Sequence, residues 1–161
     1  GYCLGVLHHI PNTSIGLEKC VEKLKKGAPF LLYLYYKFDN KPYWFKKIWL
    51  LSDLLRRLIS KCPFRLKLFI TQLIAIIIYF PLARLSFLLE KFSINTKNIP
   101  ISPYKNSSLY TMRTDALDRF GTKLEHRFTK LEIKKMMENS GLKNIKFSDK
   151  APFWVAVGIK K

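Results

Sequence analysis

The sequence predicts an α/β fold: the C-terminal half of an open sheet, built of parallel strands with an antiparallel edge hairpin, and carrying a helical insertion or cap. Three features of the 161 residues point there. Near the start, an apolar run, a helix and a second apolar run follow in βαβ order. Near the end, a capped helix leads into two further apolar runs. Between them lies a basic, apolar stretch too long for a simple connection.

The first run, Tyr2 to Leu7, reads as a buried strand, continuous in apolar residues with small ones between. His8-His9-Ile10-Pro11-Asn12 follows as a loop, because Pro11 cannot donate to a ladder. A helix is expected from about Ser14 to Lys25, with Asn12, Thr13 and Ser14 as candidate N-caps. Its Leu17, Cys20, Val21 and Leu24 fall at i, i+3, i+4 and i+7, one stripe for a core. Lys25-Lys26-Gly27 ends it, with cations at the negative helix end and glycine past the cap. Phe30 to Tyr36 then reads as a second buried strand, parallel to the first.

At the other end, Thr129-Lys130-Leu131-Glu132 fits a capping box, and Ile133, Met136 and Met137 form the stripe of a helix that Gly141 stops. Leu142 to Ser148 and Phe153 to Ile159 read as strands. The Asp149-Lys150-Ala151-Pro152 link between them suits an antiparallel hairpin. The expected division is therefore a sheet domain of residues 1–36 and 111–161, with a mostly helical insertion over 37–110. Helical pieces are expected around Tyr43–Lys61, Arg65–Glu90 and Thr114–Arg119, and Ile94 to Ser108 is a loop marked by Pro100, Pro103 and several Asn.

Within the insertion, Leu68 to Ala83 carries no charge, but it is shorter than the roughly 20 residues a membrane span needs, and Pro81 and Arg84 interrupt it. A buried or surface-lying helix is expected. Just before it, Lys41, Lys46, Lys47, Arg56, Arg57, Lys61, Arg65 and Lys67 face one acid, Asp53, and are interleaved with Trp44, Trp49, Leu50, Leu54 and Leu58. That pattern suits an amphipathic helix on an anionic membrane. It also suits a cap helix packed on the core with a solvated basic outer face, which is the preferred expectation.

The formal net charge is +18, from 29 Lys and Arg against 11 Asp and Glu. This favours anionic partners: phosphorylated metabolites, lipid surfaces or nucleic acid, the last with no recognition motif beside it. A lysine-rich composition with solvated charges gives the same number. Cys3, Cys20 and Cys62 are odd in number and lack zinc or disulfide spacing, so a reducing cytoplasm and no metal site are expected. The chain opens directly on the apolar Gly1-Tyr2-Cys3-Leu4, as though inside a sheet, so a fragment is expected, with an exposed edge that lowers solubility.

Gly5-Val6-Leu7-His8-His9-Ile10-Pro11 resembles the end of the fourth strand in class I S-adenosylmethionine-dependent methyltransferases, where a "vLHH-pd" type signature precedes a helix. Leu24-Lys25-Lys26-Gly27-Ala28-Pro29-Phe30 is similar to the family's following "LKPGG" and strand, with Ala28 for the second glycine and the proline later. Phe128-Thr129 through Gly141-Leu142 resembles its late helix, and the last two strands its closing antiparallel hairpin. The resemblance covers residues 1–36 and 125–161 and implies the C-terminal half of a Rossmann-like sheet. The family holds its cofactor by a glycine-rich turn after the first strand and an acid ending the second. No G-x-G-x-x-G occurs here. The resemblance implies cofactor contacts at Gly5, Leu7 and His8 only, and weak binding of S-adenosyl-L-methionine by this chain alone.

Methyl transfer asks the protein to align the acceptor and take its proton. His8 and His9 stand where the resemblance puts such a base, and either could instead cap the next helix or pack in the loop. A second dense constellation follows the insertion. In it Asp115, Asp118 or His126 could be a base; Arg113, Arg119 or Arg127 could hold a phosphate or carboxylate; and a salt-bridged network fixing cap to core is the plainer alternative. The catalytic candidates are His8, His9, Asp118 and His126. The substrate-binding candidates are Tyr36, Tyr104, Arg113, Asp115, Arg119 and Arg127.

The expected function is S-adenosylmethionine-dependent methyl transfer to a small-molecule acceptor, such as a saccharide or lipid-linked compound, by a cytoplasmic enzyme of which this chain is a fragment inactive alone. Membrane association, by peripheral contact through the basic insertion, is the secondary expectation. The alternative is a non-catalytic, basic membrane-surface or anion-binding protein that keeps the fold.

Overall fold

The computed structural model describes residues 1–96 and 98–161, and it divides into two compact units, Gly1–Asp39 with Leu124–Lys161 and Asn40–Lys123. The chain is mixed α/β.

The first unit holds a four-stranded mixed sheet: β1 (Tyr2–Leu4), β2 (Pro29–Tyr33), β3 (Leu142–Phe147) and β4 (Val155–Lys160), in the order β1-β2-β4-β3. β1 and β2 are parallel, joined through α1 (Thr13–Glu22), and β4 runs antiparallel to both of its neighbours. The expected closing hairpin forms, with its second strand inserted beside β2 and β3 left at the edge. Both N-terminal strands are shorter than expected. β1 stops because Gly5 turns into the left-handed region at φ +71°, after which Leu7–His9 wind into a 3-10 turn. Past Tyr33, β2 yields to looser pairing in which Tyr36 bridges Phe128 in parallel.

Helix α1 starts where the Asn12 side chain accepts the Ile15 N–H at 3.1 Å. Helix α6 (Lys130–Asn139) starts with the capping box in place. Thr129 Oγ1 accepts the Glu132 N–H at 3.2 Å, and the Glu132 carboxylate accepts the Thr129 N–H at 2.7 Å. Leu17 and Val21 of α1, Ile133 and Met137 of α6, and Phe30, Leu32 and Ala156 of the sheet form one buried cluster. Each large apolar side chain there contributes roughly 1.5–3 kcal/mol. Gly158 permits the close packing, since a Cβ there would meet Leu142 Cβ at 3.1 Å and Met137 Cε at 3.3 Å. The other face of the sheet is exposed. Its first row runs Tyr2, Leu31, Val157 and its second Leu4, Tyr33, Val155, with Tyr2 78% and Leu4 47% exposed.

The second unit is helical: α2 (Tyr43–Ile59), α3 (Phe64–Ile74), a π turn (Ala75–Tyr79), α4 (Phe80–Lys91) and α5 (Leu109–Gly121). Residues 111–123, assigned from the sequence to the sheet domain, instead lie in this unit, because Met112, Ala116 and Phe120 of α5 fill its core. Along α3 and α4 the buried positions are Thr71, Ala75, Tyr79, Ala83 and Ser86, mostly small residues that let α5 approach. The four-residue spacing from Thr71 to Ala83 would drift around a plain α-helix; the wider π turn supplies a compensating step, and Ser86 follows three residues on.

Helix α2 reverses the preferred expectation of a basic outer face over an apolar inner one. Asp53, Arg56 and Ser60 are buried, while Leu51, Leu54, Leu55 and Leu58 on the opposite face are each 42% or more exposed. Asp53 holds Arg56 Nε at 2.8 Å and Arg57 Nε at 2.9 Å, and Arg56 also donates to the carbonyls of Thr122 and Lys123 at 2.9 and 3.2 Å. A buried guanidinium thus satisfies the end of α5, and this demand turns the polar side of α2 inward.

Candidate functional site

Where parallel strands end, their loops leave side chains at a shared edge, the usual place for a ligand in an open α/β sheet. Here the loop after β1 brings His8 and His9, the segment after β2 brings Tyr35 and Tyr36, and the segment 124–128 brings His126 and Arg127. The backbone fixes all three. The His126 N–H donates to the His8 carbonyl at 2.9 Å, Phe128 N–H to Tyr35 at 2.9 Å and Lys37 N–H to Phe128 at 3.0 Å. Thr13 Oγ1 donates to the Leu7 carbonyl at 2.8 Å, tying the 3-10 turn to the first turn of α1.

The His8 side chain is fully buried and stacks on Tyr35, ring centroids 3.7 Å apart at 25°. Its Nδ1 accepts the Tyr35 N–H at 3.4 Å, which puts the ring proton on Nε2. That Nε2 is buried and finds no partner among the described residues, as does Nε2 of His126. Burial first, then the charges of His9, Arg127 and His126, pushes the His8 imidazole down from 6.5 to about 3. His8 is therefore neutral at physiological pH, a hydrogen-bond donor and a poor proton acceptor. His9 Nδ1 lies 2.9 Å from the Leu124 carbonyl and donates to it, so in the neutral ring the lone pair sits on Nε2.

Arg127 is almost fully enclosed. It pairs with the buried Glu125 at 2.7 Å, donates to the Tyr36 carbonyl at 3.3 Å and lies over the Tyr35 and Phe38 rings at 5.1 and 5.0 Å. These contacts make it a positioning residue for the aromatic walls. Tyr36 has its hydroxyl pushed up to about 12, first by burial, against the pull of Arg127, so it stays a donor. Gly5 lies at the mouth of this loop; a Cβ there would meet only Tyr33 Cδ1, at 4.0 Å.

The other candidates belong to the helical unit and form their own set. Tyr104, in a short 3-10 turn (Ser102–Tyr104), interacts with Asp115 and packs on Tyr79, ring centroids 5.7 Å apart. Burial and then the Asp115 charge raise its hydroxyl well above its ordinary value. Arg119 donates to Ser52 Oγ at 3.1 Å and Arg113 to Gln72. The Asp118 side chain is exposed, and its carbonyl accepts the Thr122 hydroxyl at 2.6 Å.

The sequence places Glu125 in the constellation after the insertion and Tyr35 in the aromatic run 33–36, but assigns neither a role. The aromatic run gave no sign of which ring would meet His8, and Glu125 stands two residues before Arg127, a spacing that pairs side chains only on extended chain. Among the described residues no group of three or more His, Cys, Asp or Glu could hold a metal ion. Compared with family models, curated proteins and solved structures, the chain finds no match in any of the three.

Proposed function

We propose that these residues form part of an S-adenosylmethionine-dependent methyltransferase, the part that faces the acceptor, in the C-terminal half of a Rossmann-like sheet. The observation that carries the reading is a pair of buried, unpartnered imidazole nitrogens, Nε2 of His8 and of His126, at the carboxyl end of a parallel strand pair. A buried polar nitrogen left without a partner costs roughly 1–3 kcal/mol, a penalty that a bound ligand would relieve. The Gly5 to Pro11 motif supports the reading, as do the βαβ unit that follows it and the capped helix before the closing hairpin.

The residues present fit one wall of the cofactor site: the open backbone at Gly5, the 3-10 turn at Leu7 and the Nε2 donor of His8. A G-x-G-x-x-G turn is not among the 161 residues. When bound, S-adenosylmethionine supplies a sulfonium methyl group, an electrophile that needs alignment more than activation. In this reading His9, its tautomer fixed by Leu124, takes the proton from the acceptor at Nε2. Tyr36 donates its hydroxyl hydrogen to the acceptor, and the Arg127–Glu125 pair holds the aromatic walls in place. A lipid-linked acceptor is favoured over a soluble saccharide by the outward apolar faces of the helical unit.

The test is transfer of labelled methyl from S-adenosylmethionine by the complete gene product that carries these residues, offered lipid and saccharide extracts separately. The lipid fraction is expected to take the label. His9→Ala should lower kcat by about 10²–10⁴ with the Kd for S-adenosylmethionine unchanged. Label in neither extract would sink the reading.

A further inference from the structure

We propose that the helical unit Asn40–Lys123 lies in the surface of an anionic lipid bilayer, its leucine, isoleucine and phenylalanine side chains among the acyl chains. This goes beyond methyl transfer and stands whether or not the chain transfers a methyl group.

Two helices carry the argument. On α2, Leu51, Leu54 and Leu58 form an exposed stripe, and Asp53, Arg56 and Ser60 are buried on the other side. A helix that hides its ion pair and shows its leucines is reversed for water. On the run from Phe64 to Lys91, 22% of the most apolar window is buried. Small residues (Thr71, Ala75, Ala83, Ser86) face the helix packing, while Phe69, Ile77 and Leu88 are each 52% or more exposed. Small residues inward and large apolar residues outward is the order of helices surrounded by lipid. An apolar surface on this scale marks an interaction site in a soluble protein.

Charge selects the occupant. Residues 40–123 contain 15 Lys and Arg against 4 Asp and Glu. Lys47 falls in line with Leu51 and Leu54 by helical period and is exposed, so its stem can lie along the apolar surface with its charge at headgroup level. A second copy of the chain would set these cations against one another; an anionic lipid surface neutralises them.

The helical run Phe64–Lys91 is long and apolar enough, by length and composition, to cross a membrane. Its uncharged part, Leu68 to Ala83, is only about 24 Å long, short of the roughly 30 Å hydrocarbon core, and the charges at both ends select a surface position. Its ends are tied to the protein: Lys67 donates to the Gly121 carbonyl at 3.3 Å, and Arg84 to the carbonyls of Lys105 and Ser107 at 2.9 and 3.1 Å.

The experiment is flotation of the chain with vesicles of phosphatidylcholine alone and of phosphatidylcholine with phosphatidylglycerol, with quenching of Trp44 by brominated lipid as a second readout. The chain should float with the anionic vesicles at least tenfold better than with the neutral ones, and Trp44 should be quenched. Leu54→Glu with Leu58→Glu should cut flotation at least tenfold while circular dichroism and thermal melting stay as in the wild type. Lys47→Gln should lower mainly the anionic preference. A wild-type chain left unfloated and unquenched by either vesicle overturns the proposal. Self-association without flotation overturns it too, and assigns the surface to a second copy.

Discussion

His8 and Tyr35 stack ring on ring, centroids 3.7 Å apart, while the Tyr35 N–H points at His8 Nδ1 from 3.4 Å. This stack seats the imidazole at the edge of the parallel strands, where burial, and then the charges of His9, Arg127 and His126, hold it in the neutral form.

The sign of its pH effect follows. The folded chain resists protonating His8 until about pH 3, whereas the unfolded chain protonates it near 6.5. Between those values the unfolded state binds more protons, so the His8 contribution is intact above 6.5 and is lost as pH falls toward 3. Lowering pH from about 6.5 to about 4.5 should cost wild type roughly 2–3 kcal/mol more than His8→Phe, which keeps the stack without a titrating nitrogen. Urea midpoints of both proteins across that range check it; parallel curves would contradict it.

Asp53 is the acid that makes the inward face of α2 tolerable. Burial raises its carboxyl, but the hydrogen bonds and charges of Arg56 and Arg57 more than offset this and hold it below its ordinary value. Asp53→Ala leaves the Arg56 guanidinium buried without its counter-ion and should destabilise the helical unit by about 3–5 kcal/mol. The double variant Asp53→Leu with Arg56→Leu should lose less than Asp53→Ala alone. Denaturant unfolding followed by helical circular dichroism measures both.

The stripe of small residues on α3 and α4 sets how closely α5 approaches. Ala83 is fully buried, so Ala83→Leu forces three extra carbons into a filled seam and should cost about 1–3 kcal/mol. Ile77→Leu, which puts the same side chain at an exposed position and adds no carbon, should cost under about 0.5 kcal/mol. Equal effects at the two sites would contradict the packing described.

Thr129 opens α6 through both halves of its capping box. Thr129→Ala removes the acceptor for the Glu132 N–H and should cost about 1 kcal/mol, read as a fall in the urea midpoint with an unchanged slope. Thr129→Ser should restore most of it.

Much of the sheet unit was legible in the sequence because its signals are local. The capping box at Thr129, the stripe on α1 and the apolar runs of the strands each follow from neighbours within a few residues. The position of β4 between β2 and β3 was not legible, since it depends on pairing across more than 120 residues of chain, Leu31 with Val157. The direction of α2 was misread for a related reason. Leucines at helical spacing suggest a core, and only the need of the α5 terminus for the Arg56 donors turns that face outward. At the candidate site, His8, His9, His126 and Arg127 were singled out by type, whereas the roles of Tyr35 and Glu125 emerged only when the segment 124–128 was laid beside Tyr36.

The most direct test of the account is calorimetric titration of S-adenosylmethionine into the complete gene product carrying these residues, beside the same protein with His8→Phe. The account predicts saturable binding by the wild type and binding weakened by about tenfold in the variant, the effect expected for one lost hydrogen bond at a buried donor. No binding by the wild type would contradict the methyltransferase reading, and equal binding by both would remove His8 from the cofactor wall.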